Sequence, residues 1–127
     1  MRGRPVNVIK IDVLNRRIRE LEEVRNRVEY ELAKENKNIQ EEIFRKYIEL
    51  QKISEVVEYL NDKGYRIIDD DKCNERRYIA NDVSTLLKTN LKDLDIEKNL
   101  YRFTKALFDF NKGKISWNRI LKECEPM

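Results

Sequence analysis

The side chains that most often perform acid–base catalysis or bind transition metals are scarce in this sequence. The 127 residues include no histidine and two cysteines, Cys73 and Cys124, which show no paired metal-ligand spacing. Without histidine, the His-dependent triads and dyads and the usual zinc sites are excluded. The three glycines, at positions 3, 64 and 113, are isolated, so no glycine-rich phosphate-binding loop is present. We therefore expect no enzymatic activity, no cofactor and no metal site.

Paired carboxylates are plentiful, and the acidic run Asp69-Asp70-Asp71 could in principle hold a divalent cation. No EF-hand spacing follows it. An acidic cluster between two elements is more often a solvated turn, and we interpret this run in that way.

Positive charge is concentrated toward the N-terminal end, although the net charge of the whole chain is only +3. Residues 1–28 contain eight basic and four acidic side chains, which gives +4. Residues 29–63 contain six basic and nine acidic side chains, which gives −3. Such a distribution suits a protein that touches a polyanion at one end.

The segment Arg2-Gly3-Arg4-Pro5 resembles the core of an AT-hook. In that motif an extended Arg-Gly-Arg lies along a narrow A·T minor groove, where glycine lets the backbone approach and the guanidiniums enter the negative potential. The alternative is a basic terminus that is merely disordered. We predict a flexible basic segment over residues 1–9, with Arg2 and Arg4 as candidate DNA contacts.

Apolar residues in steps of three and four predict a long first helix. In a strict heptad register the seam would also contain Arg25 and Glu35, so the pattern of a long zipper is interrupted. A short paired helix and an antiparallel hairpin both remain open. We predict an oligomerisation helix over residues 10–37 that forms a dimer, with these contact residues: Leu14, Ile18, Leu21, Val28 and Leu32.

Capping residues and glycines predict where the later elements begin and end. Asn38 can cap a new helix together with Glu41, as in a capping box, although a continuous helix through residues 34–38 is an open alternative. A minimal β element is possible near residues 65–68 and 76–79. The remaining candidate caps are Ser54, Asn81 or Asp82, and Ser116, and the candidate stops are Gly64 and Gly113.

Three segments between residues 43 and 90 follow a recognisable order. Ile43-Phe44-Arg45-Lys46-Tyr47 lies on one helix, Leu60-Asn61-Asp62-Lys63-Gly64 ends the next, and Val83-Ser84-Thr85-Leu86-Leu87-Lys88-Thr89-Asn90 lies on a third. This order resembles the DNA-binding "recombinase" module of large serine recombinases, with Tyr78 near the usual tryptophan of that family. The catalytic serine domain is absent, and Leu91 stands where the family has proline. Recombination activity is therefore not implied.

The resemblance implies a helix-turn-helix-like unit within residues 38–92, with residues 82–90 as the helix that reads DNA. Ser84, Thr85 and Lys88 would face the major groove, and Arg76 and Arg77 would lie at phosphates. The alternative is a helical bundle whose polar face simply meets water. The positions of five basic residues in the fold distinguish these partners: Arg45, Arg66, Arg76, Arg77 and Lys88. If these residues converge on one face, we expect a polyanion as the partner, and if they are dispersed, we expect a protein.

Together these patterns predict an all-α fold with at most a minimal β element. A long N-terminal helix or helical hairpin would precede the helix-turn-helix-like bundle, and a C-terminal helical pair over residues 93–127 would pack on it. The predicted function is that of a dimeric DNA-binding regulator in transcription or in a phage or mobile element. One alternative is a protein-interaction module that offers the Ile43 to Leu60 surface or the aromatic tail, and another is a small DNA-packaging subunit.

No run of 18 apolar residues could span a bilayer, and no apolar stretch of a secretory signal follows the N-terminal Met1-Arg2-Gly3-Arg4-Pro5. Two cysteines are too few for a disulfide framework, so both thiols are expected to be reduced. We expect a cytoplasmic protein without a membrane partner, associated with the nucleoid if it binds DNA.

Overall fold

A computed structural model of the chain describes residues 10–69 and 74–124. Its described part is mostly helical with one small two-stranded sheet, which confirms the predicted all-α fold with a minimal β element. A 3-10 turn at Leu91–Asp93 lies between the fourth and fifth helices. The helices are α1 (Ile11–Leu32), α2 (Ile39–Leu50), α3 (Ile53–Asp62), α4 (Ala80–Lys88), α5 (Lys98–Asn111) and α6 (Trp117–Glu123), and the strands are β1 (Ile67–Asp69) and β2 (Asn74–Arg76).

The core lies between α2 and α5, and the other helices pack around them. Phe44 of α2 and Phe103 of α5 are fully buried. Burying such a side chain stabilises the fold by roughly 1.5–3 kcal/mol relative to leaving it exposed. The buried side chains that complete this core are Ile43, Tyr47, Ile48, Val56, Leu60, Val83, Leu87, Ile96, Leu100, Ala106, Leu107, Phe108 and Ile120.

The break between the first two helices is confirmed, and so is its predicted cap. The Asn38 side chain accepts a hydrogen bond from the Glu41 N–H at 2.9 Å, which satisfies a backbone donor at the start of α2. The Glu41 carboxylate in turn accepts from the Lys37 N–H at 3.0 Å. A helix running continuously through residues 34–38 is therefore not formed, and α1 ends at Leu32 and not at residue 37.

Two of the predicted caps are wrong. Helix α3 is preceded by Lys52, two positions before the expected cap, and Ser54 lies inside the helix. Helix α4 begins at Ala80, and Asp82 accepts from the Ile79 N–H at 2.8 Å from within the first turn. Carboxylates favour the first turn because the helix dipole is positive there, so a residue of cap type can lie just inside a helix.

The β element lies close to the predicted segments, but its strands are shifted inward. Ile67 pairs with Arg76 in an antiparallel register, so the paired residues are 67–69 and 74–76. The stops are confirmed, because Gly64 and Gly113 follow α3 and α5 with φ of 90° and 77°, a region that favours glycine. Among the described residues, no helix is both long and apolar enough to cross a membrane.

Candidate nucleic-acid interface

Helix α4 presents one polar ridge to solvent. Val83 and Leu87 are fully buried and hold the helix on the core. The exposed residues of the ridge stand at spacings of four and three, which places them on one side of the helix: Asn81, Thr85 and Lys88. Ser84 lies beside this ridge and is half-buried. Thr85 and Lys88 thus lie on the side of α4 away from its most buried residues, whereas Ser84 lies on the flank, close to Leu87.

Three further lysines lie near Lys88: Lys105 in the middle of α5, and Lys112 and Lys114 just after its end. The Lys105 ammonium lies 3.4 Å from the carbonyl oxygen of Leu87, the neighbour of Lys88. The ammonium groups of Lys105 and Lys112 lie 6.0 and 4.3 Å from the centre of the same ring, that of Phe108. We refer to Lys88, Lys105, Lys112 and Lys114 as the lysine cluster.

The positive charges of this cluster repel one another. Partial desolvation lowers the pKa of Lys112, and the positive charges of Lys114, Lys88 and Lys105 lower it further, while Asp109 acts in the opposite direction. The C-terminal ends of α4 and α5 also contribute, because the C-terminal carbonyls of a helix attract cations. Four ammonium groups close to one another form a surface that a polyanion would stabilise.

The five basic residues of the convergence test do not share one face, and this dispersal is the outcome that we expected for a protein partner. Arg45 is buried, and its guanidinium donates to the Glu31 carbonyl at 2.8 Å and to the Asn36 side chain at 2.8 Å. Arg66 is half-buried and donates to the Tyr65 carbonyl at 2.7 Å. Both arginines therefore hold the chain's own backbone, and neither joins Lys88.

Arg76 and Arg77 lie at the end of the β element, both exposed. Arg76 forms a bidentate pair with the Asp82 carboxylate, with both N–H···O distances at 2.8 Å. The hydrogen bond from Arg76 lowers the pKa of Asp82, burial opposes this, and the Ile79 N–H lowers it further. This pair fastens the hairpin to the first turn of α4, so Arg76 has a structural role at the position where a phosphate contact was predicted.

An apolar groove lies along α4. Its volume is about 370 Å³, and two residues of the ridge, Asn81 and Thr85, help to line it. Ile68 and Ile79, close by in sequence, are exposed. The main apolar side chains that line it come from α2, the hairpin and α4: Ile39, Ile43, Ile67, Tyr78 and Leu86.

The predicted oligomerisation residues fall into two groups. Leu14, Ile18 and Leu21 are exposed, and Leu32 is at the margin of exposure with 37% of its surface accessible. Val28 is half-buried against the chain's own core.

Several sequence-based expectations concern residues outside those that the structure describes, namely Arg2, Arg4, Cys73 and the carboxylates of residues 70 and 71. Cys124 is a free thiol whose pKa burial raises to about 11. In the described ranges, no group of three or more carboxylates or thiols is arranged to hold a metal ion.

Sequence reasoning found Lys88 but missed Lys105, Lys112 and Lys114. These residues lie on the polar side or at the end of the predicted C-terminal helix, where lysine commonly does no more than face water. Only the packing of α5 against α4 brings them to Lys88.

No protein-family model, no curated protein and no solved structure matches this chain. The resemblance to the recombinase module therefore has no support from a relative.

Proposed function

We propose that this protein is a non-catalytic, DNA-binding regulatory protein whose contact surface is the α4 ridge together with the lysine cluster. The observation that carries the proposal is the approach of Lys105 to the carbonyl oxygen of Leu87, next to Lys88, with Lys112 on the same Phe108 ring as Lys105 and Lys114 two residues beyond it. Lysines neutralise phosphates and release counterions, whereas short polar side chains on an adjacent helix can reach base edges.

Other features divide the roles within this surface. Lys88 belongs to both the ridge and the cluster, so a duplex that meets the phosphate-binding lysines would also meet Asn81 and Thr85. Arg77 is exposed at the hairpin and would reach the DNA backbone beyond the first turn of α4. Arg2 and Arg4 would supplement these contacts from the N-terminal segment.

The unit differs from a compact helix-turn-helix, in which three or four residues join the two helices. Residues 63–79, with the β hairpin inside them, lie between α3 and α4. The hairpin fastens to α4 through Arg76 and Asp82, so it would present α4 to DNA in place of a tight turn. We place the protein in transcriptional or mobile-element control, acting in the cytoplasm on the nucleoid as a dimer.

Fluorescence anisotropy of a labelled genomic or random-sequence duplex at low salt tests the proposal. We expect low-micromolar binding by the wild type and at least a tenfold loss for a combined Lys88→Ala, Lys105→Ala and Lys112→Ala variant. The matched control removes three other exposed lysines and the same net charge: Lys52→Ala, Lys98→Ala and Lys122→Ala. Absence of wild-type binding, or equal losses in both variants, would overturn the proposal.

The apolar groove favours one alternative, a module that binds another protein. Its occupant would be an apolar segment, since Ile39, Tyr78 and Leu86 line it. The surface proposed for this role from sequence is not available, because Ile43, Phe44 and Leu60 are buried in the core. Ile67→Ser separates the two functions, because Ile67 lines the groove from β1 and not from α4: it should weaken capture of a protein partner while leaving DNA affinity within about twofold.

A further inference from the structure

The N-terminal half of α1 carries an apolar stripe that nothing in the described chain covers. Residues 10–19 are all exposed, and the core begins to contact α1 only at Glu20 and beyond. The stripe consists of Ile11, Leu14, Ile18 and Leu21, with 68%, 42%, 53% and 52% of their surfaces accessible. Sequence reasoning found three of these residues and missed Ile11.

The spacing of the stripe is that of a two-stranded coiled coil. Steps of three, four and three place Ile11 and Ile18 at a positions and Leu14 and Leu21 at d positions, and β-branched residues at a with leucine at d favour parallel dimers. The next a position is Arg25, which is exposed. Two copies of Arg25 side by side would repel each other, so the paired segment ends near Leu21.

The flanking charges distinguish the two possible orientations. Arg17 occupies a g position and Glu22 the following e position, which are neighbours between the strands of a parallel coiled coil. Parallel pairing thus forms two Arg17–Glu22 ion pairs between the copies. Antiparallel pairing over the same four residues would instead bring the Arg17 side chains of both copies together, which is unfavourable.

The core reaches the line of the stripe only beyond Leu21. Successive residues of a helix are about 100° apart, so Arg27 and Glu31, which face the core, lie on a different side from the stripe. Val28, one heptad after Leu21, is in line with the stripe and packs against the core, so the paired segment must end before it.

We propose that two copies of this chain associate through the stripe as a parallel, in-register helical pair, Leu14 against Leu14 and Ile18 against Ile18. This proposal rests on the proposed function, because a parallel pair would place both lysine clusters at the same end of the paired helices, where one DNA site could contact both. Four apolar side chains per copy form a small contact, so we expect micromolar self-association that DNA strengthens.

Disulfide trapping tests the orientation. In a background of Cys73→Ser and Cys124→Ser, Leu14→Cys alone should form a linked dimer on mild oxidation, because parallel pairing places the two copies of residue 14 together. An antiparallel pair would place residue 14 opposite residue 18. Linkage only when Leu14→Cys and Ile18→Cys chains are mixed, or no linkage in either case, would overturn the proposal.

Charge exchange tests the register. Arg17→Glu should weaken self-association about fivefold in sedimentation equilibrium, and adding Glu22→Arg should restore it. The matched control is Arg16→Glu, an identical charge change at an exposed f position on the outer side of the pair. Equal effects of the two single substitutions would contradict the register.

Measuring mass without DNA separates this proposal from the preceding one. If the protein is a dimer that binds no duplex, the pairing is supported and the DNA-binding function is contradicted. If it is a monomer at tens of micromolar and still binds duplex, the DNA-binding function is supported and the pairing is contradicted. A ring of many subunits would overturn the parallel pair and favour an assembly of the packaging kind.

Discussion

The two halves of α1 are opposite in what they expose. In the N-terminal half, Ile11 and Ile18 face solvent, whereas in the C-terminal half the charged residues Arg27 and Glu31 are buried. Both halves follow the same apolar periodicity, so the pattern of hydrophobic residues does not determine which of them is covered. What differs is proximity to α2 and α6, because residues 10–19 are all exposed and the contacts of α1 begin at Glu20, which accepts a hydrogen bond from Trp117 of α6.

The buried charges of the C-terminal half are tolerated because they bind one another and the backbone. The Arg27 guanidinium donates to Glu31 at 3.1 Å and to the Asn99 carbonyl at 3.0 Å, and it lies 4.6 Å from the centre of the Phe103 ring. It also donates to the Glu123 carbonyl. A buried carboxylate without its cation, or the reverse, would be strongly destabilising.

The largest effect should come from breaking this buried pair. Glu31→Ala leaves Arg27 without its buried countercharge and removes one of the two buried carboxylates beside Arg45, the other being Glu41, and we expect the free energy of unfolding to fall by about 3 kcal/mol. Urea denaturation followed by circular dichroism measures the change. The control, Glu29→Ala, removes an exposed carboxylate two positions away and should cost less than about 0.5 kcal/mol.

Acid should destabilise the region where the C-terminal half of α1 meets α2. Burial acts to raise the pKa values of Glu41 and Glu42, but hydrogen bonds hold both below their usual value. The donors to Glu41 are the Lys37 and Glu97 N–H groups and the Arg45 guanidinium. The donors to Glu42 are chiefly two tyrosine hydroxyls. A lowered folded-state pKa contributes stability that is present above pH 4.5 and is lost as the pH falls through the folded value. Unfolding free energies measured from pH 6 to pH 3 should decline, and Glu41→Gln should flatten the decline; an unchanged profile would contradict this cause.

A matched valine substitution compares the two halves directly. Val28→Ala removes side-chain atoms that pack against the core, so we expect a loss of about 1 kcal/mol in unfolding free energy. Val13→Ala is the same change on the exposed half and should lie within about 0.5 kcal/mol of the wild type. Similar losses at both positions, measured by thermal unfolding at low protein concentration, would remove the distinction between the halves.

The smallest effect on the fold is expected from the stripe. Leu14→Ser with Ile18→Ser should leave the unfolding free energy of the monomer within about 0.5 kcal/mol, because neither side chain is covered within one chain. The same variant should lose self-association in sedimentation. A large loss of monomer stability would mean that this half of α1 packs on the chain itself.

Local signals predicted much of the fold. Spacing located the long helices, Asn38 marked the start of α2, and Gly64 and Gly113 marked the ends of α3 and α5, because a cap or a positive φ depends on a few neighbouring residues. Ser54 failed as a cap because several residues near a helix start can serve, and the chain's packing decides among them.

The site depends on contacts that no local pattern contains. Arg45 was taken for a candidate surface cation, yet it is buried because Glu31 and Asn36, from an earlier segment, accept its hydrogen bonds. Lys105 and Lys112 joined Lys88 only through the packing of α5 on α4. Such meetings are tertiary, so the sequence suggested an anionic partner without locating the surface that would hold it.

The most direct test of the DNA-binding account is the salt dependence of duplex affinity. For the wild type, the logarithm of the association constant should fall linearly with the logarithm of salt concentration, with a slope of about −0.9 for each phosphate neutralised. We expect the slope for the combined Lys88, Lys105 and Lys112 alanine variant to be less steep than that of the wild type by about 2 to 3. The slope for the combined Lys52, Lys98 and Lys122 alanine variant should equal that of the wild type. An unchanged slope in the first variant would show that the lysine cluster does not contact DNA.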